Sequence, residues 1–286
     1  MIPLGTTQLT CLLGHPVAHS MSPAMHNNSF KKLGLDYTYL AFDIDENHIK
    51  EAIDALKLFN CRGFNLTMPL KQAVIPYLDE ISDAAKLCNS VNTVVIDNGR
   101  LTGHTTDGIG YMDALKDKGY IITGKVMTLL GAGGAATSVA TQAALDGVSE
   151  IRIFKRNNSS FIKAVSFAEN LSKNSNCLVS VHDMADLDDL GESINDSAIV
   201  VNGTNVGMGS DNTSLIPIEF FRKDLIVSDL IYHPSKTKML LDAEYAGSKI
   251  INGKYMLLFQ GAAAFKLWTN MDMPIEYIKE KCFSED

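Results

Sequence analysis

Apolar runs, alternating positions and helical repeats follow one another along the N-terminal part of the chain, with turn residues between them. Strands are predicted at residues 9–13, 37–42 and 63–67, and helices at residues 23–33, 49–58 and 71–78. Ser22 and Pro23 suit the start of the first helix, and Gly34 suits its C-terminal end. Asn98-Gly99 lies between two further apolar stretches, and both residues tolerate the positive φ angles of a two-residue hairpin turn. This first block is therefore predicted to be mixed α/β.

A second block alternates strands and helices more regularly. After a connecting helix at residues 108–118, strands are predicted at residues 126–130, 150–154, 178–182, 197–201 and 225–230, and helices at residues 135–145, 160–173 and 236–246. Strands that alternate with helices indicate a parallel sheet covered by helices on both faces. Two trailing helices are predicted at residues 256–268 and 275–281. The predicted fold class is α/β.

The first strand of the second block runs into a glycine turn that opens directly into a helix. The turn consists of Gly131, Ala132, Gly133, Gly134 and Ala135. Glycines allow a tight turn and a close approach of the backbone to phosphate, and the helix N-terminus offers unpaired N–H groups at the positive end of its dipole. The sequence therefore predicts a dinucleotide-binding turn. The alternative is a glycine loop that only lets a helix pack on the sheet.

Composition limits the classes of function. The chain has 286 residues, of which 46% are hydrophobic, and this is enough for two domains with their own cores. No apolar stretch approaches the roughly 20 residues that span a bilayer, and the N-terminus lacks a signal-peptide pattern, so we expect a cytoplasmic protein. The formal charge of -8 provides no basic surface for nucleic acid. The spacing of the cysteines and histidines indicates neither a disulfide framework nor a metal site, so the expected partners are small molecules, with a homodimer left open.

Several motifs are hard to explain by packing alone. They are Gly14-His15-Pro16-Val17-Ala18-His19-Ser20-Met21-Ser22-Pro23 with His26-Asn27, Asn65-Leu66-Thr67-Met68-Pro69-Leu70-Lys71, Ser90-Val91-Asn92-Thr93, Thr106-Asp107-Gly108, Asn202-Gly203-Thr204 with Gly207-Met208, Asp229-Leu230-Ile231-Tyr232 with Pro234, and Gly253 with Met256-Leu257-Leu258-Phe259-Gln260-Gly261. In this order they resemble the motifs of the shikimate dehydrogenase family, closest to its quinate/shikimate dehydrogenase branch. The resemblance extends over almost the whole chain.

The expected domain organisation combines this resemblance with the predicted elements. We expect a mixed α/β substrate-binding catalytic domain at residues 1–107 and a Rossmann-type NAD(P)-binding domain at residues 108–250. The C-terminal helices at residues 251–286 are expected to return to the substrate domain. Such an arrangement leaves a cleft between the two domains, where the chemistry would occur.

The resemblance implies hydride transfer between a hydroxyl-bearing ring carbon and a nicotinamide, and it places Lys71 and Asp107 at the proton-transfer step. Burial or a cationic neighbour lowers the pKa of a lysine, whereas an adjacent carboxylate raises it. Lys71 therefore has two interpretations: a proton-transfer group, or a charged hydrogen-bond donor that stabilises the developing alkoxide. The structural alternatives are a solvated helix residue for Lys71 and an N-cap for Asp107, which is compatible with catalysis.

A shikimate-like substrate carries a carboxylate and several ring hydroxyls. The residues expected to bind them are Ser20, Ser22 and Tyr232 for the carboxylate and Thr67, Asn92 and Gln260 for the hydroxyls. Of these, the part of Tyr232 is implied by the resemblance. Ser22 is equally suited to cap the helix that follows it. His15 and His19 lie beside a proline turn and are expected to make local hydrogen bonds rather than transfer protons.

The choice of dinucleotide depends on the residues after the second strand of the second block, which are Lys155, Arg156, Asn157 and Asn158. An acid at this point binds the ribose 2′-OH of NAD, and a basic residue accommodates the 2′-phosphate of NADP. The quinate/shikimate branch commonly has Asp where Asn158 stands, and Lys155 with Arg156 can bind a phosphate. We therefore predict NADP, with NAD tolerated. The alternative is that both basic residues are simply solvated.

The resemblance also implies nicotinamide contacts at Asn205, Leu230 and Gly253, largely through the backbone. The chain departs from the family pattern at two positions. Thr105 stands where Asn is usual, and Tyr255 stands where a second glycine is usual after Gly253. Tyr255 either narrows the pocket and shifts substrate preference, or its ring points outward.

The leading hypothesis from the sequence is an NAD(P)-dependent oxidoreductase that interconverts 3-dehydroshikimate and shikimate, with quinate and 3-dehydroquinate as a second pair. The alternative is a non-catalytic sensor or regulatory protein that binds a dinucleotide and a ring acid. Lys71 and Asp107 favour the enzyme, whereas Thr105 and Tyr255 keep the alternative open.

Overall fold

A computed structural model describes residues 2–283 of the chain. The chain forms two compact units: Met1–Gly110 together with Leu258–Asp286, and Tyr111–Leu257. The chain passes from one unit to the other within two helices, α5 (Asp107–Asp117) and α10 (Lys254–Thr269).

The first unit is built on a mixed sheet of six strands. In chain order its other elements are β1 (Gln8–Gly14), α1 (Ser22–Leu33), β2 (Tyr37–Asp43), α2 (Ile49–Leu58), β3 (Gly63–Leu66), α3 (Leu70–Ala73), β4 (Glu80–Ile81), α4 (Asp83–Cys88), β5 (Thr93–Asp97), β6 (Arg100–His104) and α11 (Ile275–Cys282). The strand order is β2-β1-β3-β5-β6-β4. Strands β1, β2 and β3 are parallel, and β5 runs antiparallel to both β3 and β6.

Local sequence signals account for the turns of this unit. Asn98 and Gly99 have φ angles of 50° and 77°, as the predicted β5–β6 hairpin requires. Gly34 ends α1 with a φ of 67° and donates its backbone N–H to carbonyls of the last helical turn. Trp268 of α10 is buried against the sheet, where its indole N–H donates to the carbonyl of Val94 at 3.0 Å.

The second unit is a parallel sheet of six strands with helices between them. Its other elements are β7 (Val126–Leu130), α6 (Gly134–Leu145), β8 (Glu150–Lys155), α7 (Phe161–Lys173), β9 (Leu178–Asp183), α8 (Leu187–Asp196), β10 (Ile199–Asn202), β11 (Ile226–Asp229), α9 (Lys238–Tyr245) and β12 (Lys249–Ile251). The strand order is β12-β11-β10-β7-β8-β9, and all pairings are parallel. This is the order of a doubly wound dinucleotide fold, in which the order of the strands reverses between β7 and β10. The two sheets confirm the predicted α/β class.

One predicted helix is shorter in the structure, and several elements of the structure were not predicted. The helix expected at residues 71–78 ends at Ala73, because Pro76 cannot continue an α-helix and Ile75–Tyr77 forms a 3-10 turn instead. Helices α4 and α8 and strands β4 and β12 were not predicted. Helix α8 contains Gly191 and several aspartates, which lower helix propensity, but Asp186 caps it by accepting from the N–H of Asp189 at 3.1 Å.

Within residues 2–283, no helix is both long enough and apolar enough to cross a membrane. The same residues contain no group of three or more His, Cys, Asp and Glu side chains placed to hold a metal ion.

Candidate active site

Lys71 and Asp107 form a close ion pair in the first unit. The Nζ of Lys71 donates to Oδ2 of Asp107 at 2.6 Å, and the side chains are 22% and 8% exposed. Asp107 is the first residue of α5, where the positive end of the helix dipole stabilises a carboxylate. Lys71 lies on the short α3, whose position is fixed by the bond from the Val91 N–H to the Lys71 carbonyl at 2.9 Å. The pair is thus held by backbone elements on both sides.

Asn92 connects this ion pair to its surroundings. Its Nδ2, which carries two N–H donors, lies 2.8 Å from Oδ1 of Asp107, 2.9 Å from Oγ1 of Thr106 and 3.3 Å from Oε1 of Gln260. Its Oδ1 accepts from the backbone N–H of Thr106 at 2.7 Å. Because a backbone N–H can only donate, the orientation of the Asn92 amide is determined. The structure therefore brings together four of the residues expected at the site: Lys71, Asn92, Asp107 and Gln260.

In this arrangement the Lys71 ammonium can still donate a hydrogen bond to a ligand. An ammonium has three N–H donors, so Lys71 can hydrogen-bond a ligand oxygen while its contact with Asp107 persists. The second carboxylate oxygen of Asp107 is occupied by Asn92, which restricts rotation of the carboxylate. The geometry suits donation of a hydrogen bond or a proton to an oxygen that becomes negative.

Ser20, Ser22 and Thr67 follow the carboxyl ends of β1 and β3, which are parallel neighbours. The Ser20 hydroxyl accepts from the backbone N–H of Ser22 at 3.3 Å. Ser22 is the first residue of α1 and only 6% exposed, but the N-cap position belongs to Met21, whose side chain makes no capping hydrogen bond. The cap interpretation of Ser22 is therefore wrong, because the helix starts one residue earlier than predicted. Thr67 is partly buried, and its methyl group lies where a side chain on Gly14 would be.

The histidines of the proline turn are exposed. His15 Nδ1 hydrogen-bonds the carboxylate of Asp43, and this contact raises the pKa of the imidazole. His15 thus makes the local hydrogen bond that its position suggested. His19 is also exposed.

The glycine turn of the second unit lies where the strand order reverses. Gly131 has a φ of +96°, and a Cβ there would lie 2.8 Å from Cγ2 of Thr204 and 3.2 Å from the Gly203 carbonyl oxygen. Gly203 follows β10, so the turns after β7 and β10 approach each other through glycines. A Cβ on Gly133 would meet nothing within 4 Å, and α6 begins at the next residue, Gly134. An open backbone in front of a helix N-terminus fits a pyrophosphate.

The basic residues expected at the ribose end of the dinucleotide follow β8. The Nζ of Lys155 donates to Oδ1 of Asn158 at 3.0 Å, and the same oxygen accepts from the backbone N–H and the hydroxyl of Ser160 at 3.1 and 2.9 Å. Arg156, Asn157 and Asn158 are exposed. Asn158 therefore organises this loop, and Arg156 presents a guanidinium to solvent.

The residues expected to contact the nicotinamide lie near the buried carboxylate of Asp229, which was not predicted from the sequence to be a site residue. Gly253 packs so tightly that a Cβ would lie 2.0 Å from the Leu230 carbonyl oxygen, and its N–H donates to the Ile231 carbonyl at 3.0 Å. The carboxylate of Asp229 accepts from the Ile231 N–H at 2.9 Å and from the Thr237 hydroxyl at 2.7 Å. Burial raises the pKa of Asp229 above its usual range. The sequence signal for Asp229 was its place in the Asp-Leu-Ile-Tyr motif.

Asn202 joins the ends of β10 and β11. Its Nδ2 donates to both Asp229 oxygens at 3.2 Å, and its Oδ1 accepts from the Thr204 N–H at 3.0 Å. This bridge fixes the loop that carries Asn205, whose side chain is exposed. Tyr232 also lies in this unit, 39% exposed. Its part in substrate binding stays a prediction.

The two departures from the family pattern have defined surroundings. The ring of Tyr255 lies 5.2 Å from Nζ of Lys118, which is an exposed residue. This contact favours the interpretation that the Tyr255 ring points outward. Thr105 is buried at 5% exposure between β6 and α5.

Comparisons with known proteins agree with these motifs and folds. The chain matches the family models described as Shikimate dehydrogenase substrate binding domain at residues 12–94 and Shikimate 5'-dehydrogenase C-terminal domain at residues 255–283. It is 47% identical over 281 residues to a shikimate dehydrogenase (NADP(+)) of Listeria innocua, covering 98% of this chain and 97% of the relative.

Solved structures of similar proteins extend the comparison. Shikimate 5-dehydrogenase from Listeria monocytogenes, in complex with shikimate and NAD, is 46% identical with a TM-score of 0.94, covering 97% of each chain. Quinate dehydrogenase from Corynebacterium glutamicum, in complex with NAD, is 28% identical with a TM-score of 0.87, covering 97% of this chain and 99% of that one. The likeness in sequence and fold confirms the resemblance inferred from the motifs. The chain belongs to the shikimate dehydrogenase family.

Proposed function

We propose that the chain is an NADP-dependent oxidoreductase that interconverts 3-dehydroshikimate and shikimate. The observation that carries the proposal is the Lys71–Asp107 contact of 2.6 Å, with Asn92 on the second carboxylate oxygen. It provides an oriented proton donor at a partly buried position, as reduction of a ketone requires. The names of similar proteins support the substrate, since the relative from Listeria innocua is a shikimate dehydrogenase (NADP(+)) and the structure from Listeria monocytogenes contains shikimate.

Lys71 moves the proton in this proposal. In reduction, its ammonium hydrogen-bonds the ketone oxygen and donates a proton as negative charge develops there, which leaves a neutral amine, and in oxidation the neutral amine accepts the hydroxyl proton. Asp107 remains a carboxylate, keeps Nζ of Lys71 directed at the reacting oxygen and stabilises its charge. A bound NADP(H) supplies or accepts the hydride.

The substrate carboxylate and hydroxyls need donors and acceptors rather than a large apolar surface. Ser20, Ser22 and Tyr232 are assigned to the carboxylate, and Thr67, Asn92 and Gln260 are assigned to the hydroxyls. The contact between Asn92 and Gln260 at 3.3 Å supports a shared hydroxyl site beside the ion pair.

The second unit is assigned to the dinucleotide. The turn from Gly131 to Ala135 and the N-terminus of α6 would hold the pyrophosphate, because Gly133 leaves open space and the helix end is positive. The backbone around Asn205, Leu230 and Gly253 is assigned to the nicotinamide.

A variant of Lys71 tests the proposed chemistry. We expect Lys71→Ala to lower kcat for shikimate oxidation by about 100- to 10,000-fold, because the proton-transfer group acts in the transition state. The dissociation constant of shikimate, measured by calorimetry, should change only a few-fold. Lys86→Ala is the matched control, since Lys86 is an exposed lysine paired with Asp83. Wild-type turnover in Lys71→Ala would overturn the assignment.

Arg156 tests the choice of dinucleotide. We expect the wild-type enzyme to prefer NADP+ and to accept NAD+, and Arg156→Ala to raise KM for NADP+ by about tenfold or more with little change for NAD+, because a charge-assisted contact to the 2′-phosphate is lost. Lys163→Ala, an exposed lysine of α7, is the control. Steady-state rates with both dinucleotides decide the matter, and a strong preference of the wild type for NAD+ would contradict the assignment.

A second substrate and a function without catalysis are the alternatives, and only the first has a specific observation in its favour. The similarity to quinate dehydrogenase at a TM-score of 0.87 makes quinate the second candidate substrate, and the same assay with quinate measures it. A sensor without catalysis would bind the dinucleotide but reduce none of it with either acid. The intact contacts among Lys71, Asp107 and Asn92 favour the enzyme.

A further inference from the structure

A buried polar contact lies behind the candidate substrate site of the first unit. Tyr39 on β2 is fully buried, and its hydroxyl donates to Oδ1 of Asn65 on β3 at 2.8 Å. Strand β1 lies between β2 and β3, so the Tyr39 side chain reaches across a whole strand to make this bond. Asn65 is 4% exposed.

The direction of each hydrogen bond follows from the Asn65 amide. Its Nδ2 donates to the Asn92 carbonyl at 3.1 Å and to Oγ1 of Thr93 at 2.9 Å. A carbonyl only accepts, so Oδ1 of Asn65 must be the atom that faces Tyr39. The one hydrogen of the Tyr39 hydroxyl is therefore committed to Asn65. Towards any other partner, the phenol oxygen can only accept.

Ser22 is the neighbouring hydroxyl that can donate to the phenol oxygen, since Ser22 shares a face of α1 with His26, whose ring stacks on Tyr39. Burial raises the pKa of Tyr39 well above its usual range, so the phenol stays neutral, and the nearby Ser22 hydroxyl opposes part of this shift. Because the phenol hydrogen is used by Asn65, Ser22 must donate its hydrogen to the phenol oxygen when the two are bonded. A bound carboxylate could compete for the same hydrogen by rotation of the Ser22 hydroxyl.

At its other end the chain of contacts reaches the ion pair. The Asn65 side chain donates a hydrogen bond to the backbone carbonyl of Asn92, and the Asn92 side chain donates one to Asp107 at 2.8 Å. Asp107 in turn accepts a hydrogen bond from Nζ of Lys71 at 2.6 Å. Hydrogen bonds thus connect Tyr39 with Lys71 through Asn65, Asn92 and Asp107.

The Tyr39 ring is held in place by aromatic neighbours. The imidazole of His26 stacks on it with centroids 4.4 Å apart and planes at 11°, and Trp268 packs at 6.0 Å. His26 follows Ser22 by four residues on α1, so the two side chains share a face of that helix. This packing holds the ring with its hydroxyl on Asn65, beside the face of α1 that carries Ser22.

We propose that Tyr39 and Asn65 are positioning residues that set the Ser22 hydroxyl for the substrate carboxylate and Asn92 for the ion pair. The inference rests on the proposed function, because Ser22, Asn92, Lys71 and Asp107 have their roles from it. Neither Tyr39 nor Asn65 touches the substrate in this proposal. Each acts through the hydrogen bonds described above, and the two ends of the site are coupled by them.

Tyr39→Phe removes only the hydroxyl and keeps the ring stacked on His26. We expect the dissociation constant of shikimate, measured by calorimetry, to rise about tenfold, because Asn65 loses its donor and Ser22 loses the acceptor that the proposal gives it. KM for NADP+ should stay within about twofold, because the assigned dinucleotide residues belong to the other unit. Tyr37→Phe is the matched control, since it removes a phenol hydroxyl two residues away on the same strand.

A double-mutant cycle separates positioning from general damage. If Tyr39 acts through Ser22, the loss of shikimate affinity in Tyr39→Phe should be smaller in a Ser22→Ala background than in the wild type. A variant that is only less stable would lose active protein and thermal stability without a change in shikimate affinity, and this result would overturn the proposal. Equal losses in both backgrounds would overturn the action through Ser22.

Two further measurements separate a failure of this proposal from a failure of the proposed function or of one variant to fold. Calorimetry does not need turnover, so a wild type that binds shikimate without oxidising it would contradict the proposed function and leave the positioning measurable. If Tyr39→Phe does not fold, Thr93→Val removes the hydroxyl that accepts from Asn65 and should weaken shikimate binding about threefold. Unchanged affinity in that variant would count against the proposal.

Discussion

Gly131 and Gly133 belong to one turn but differ in backbone conformation and in surroundings. Gly131 has a φ of +96° and no room for a Cβ beside Thr204, so Gly131→Ala should lower the free energy of unfolding of the second unit by about 1 to 3 kcal/mol. Gly133 has a φ of -80° and open space, so Gly133→Ala should leave that free energy nearly unchanged. Chemical denaturation followed by far-UV circular dichroism measures both.

The same pair separates folding from binding. The Cβ of Gly133→Ala would enter the space assigned to the pyrophosphate, and we expect it to raise the dissociation constant of NADP+ about tenfold in a normally stable protein. The two variants are controls for each other. A Gly131→Ala protein as stable as the wild type would show that the turn adjusts, and unchanged NADP+ affinity in Gly133→Ala would place the phosphate elsewhere.

At the scale of elements, the sequence predicted those whose signals are local. The β5–β6 hairpin follows from Asn98-Gly99, whose positive φ angles need no tertiary contact. Helix α8 was missed because its aspartates and Gly191 oppose helix formation, and tertiary contact outweighs them: a Cβ on Gly191 would lie 3.0 Å from the Phe220 ring. Strand β12 has three residues and exists through its pairing with β11, which no local pattern reports.

The candidate site shows the same division between local and distant information. Lys71, Asn92 and Asp107 were predicted because each lies in a short recognisable motif, and the structure places them in contact. Tyr39 lies in an ordinary alternating strand, and its contact with Asn65 depends on β1 being paired between β2 and β3. Strand register of this kind is set by the whole sheet, so the sequence offered no signal for Tyr39 beyond an aromatic residue at an inward position.

At the scale of the whole protein, the buried His26 links folding to pH. Burial lowers the pKa of His26 from 6.5 to about 3, and within residues 2–283 neither ring nitrogen has a hydrogen-bond partner. In the unfolded chain the pKa returns to about 6.5, so between these values the unfolded state binds the proton and the folded state does not. The stability contributed by neutral His26 is therefore complete above pH 6.5 and is lost progressively as the pH falls towards 3.

This linkage predicts how much stability the first unit loses in acid. Between pH 7 and pH 5 the wild type should lose about 2 kcal/mol from His26, at up to about 1.36 kcal/mol per pH unit below 6.5. Trp268 is the one tryptophan of the chain and lies 5.3 Å from the His26 ring, so its fluorescence during denaturation reports on this unit. His26→Phe keeps an aromatic ring on Tyr39 but cannot be protonated, so its loss between the two pH values should be smaller by that amount, whatever its stability at pH 7. His19→Phe, at an exposed position, should show the wild-type dependence, and equal losses in His26→Phe and the wild type would contradict the role of His26.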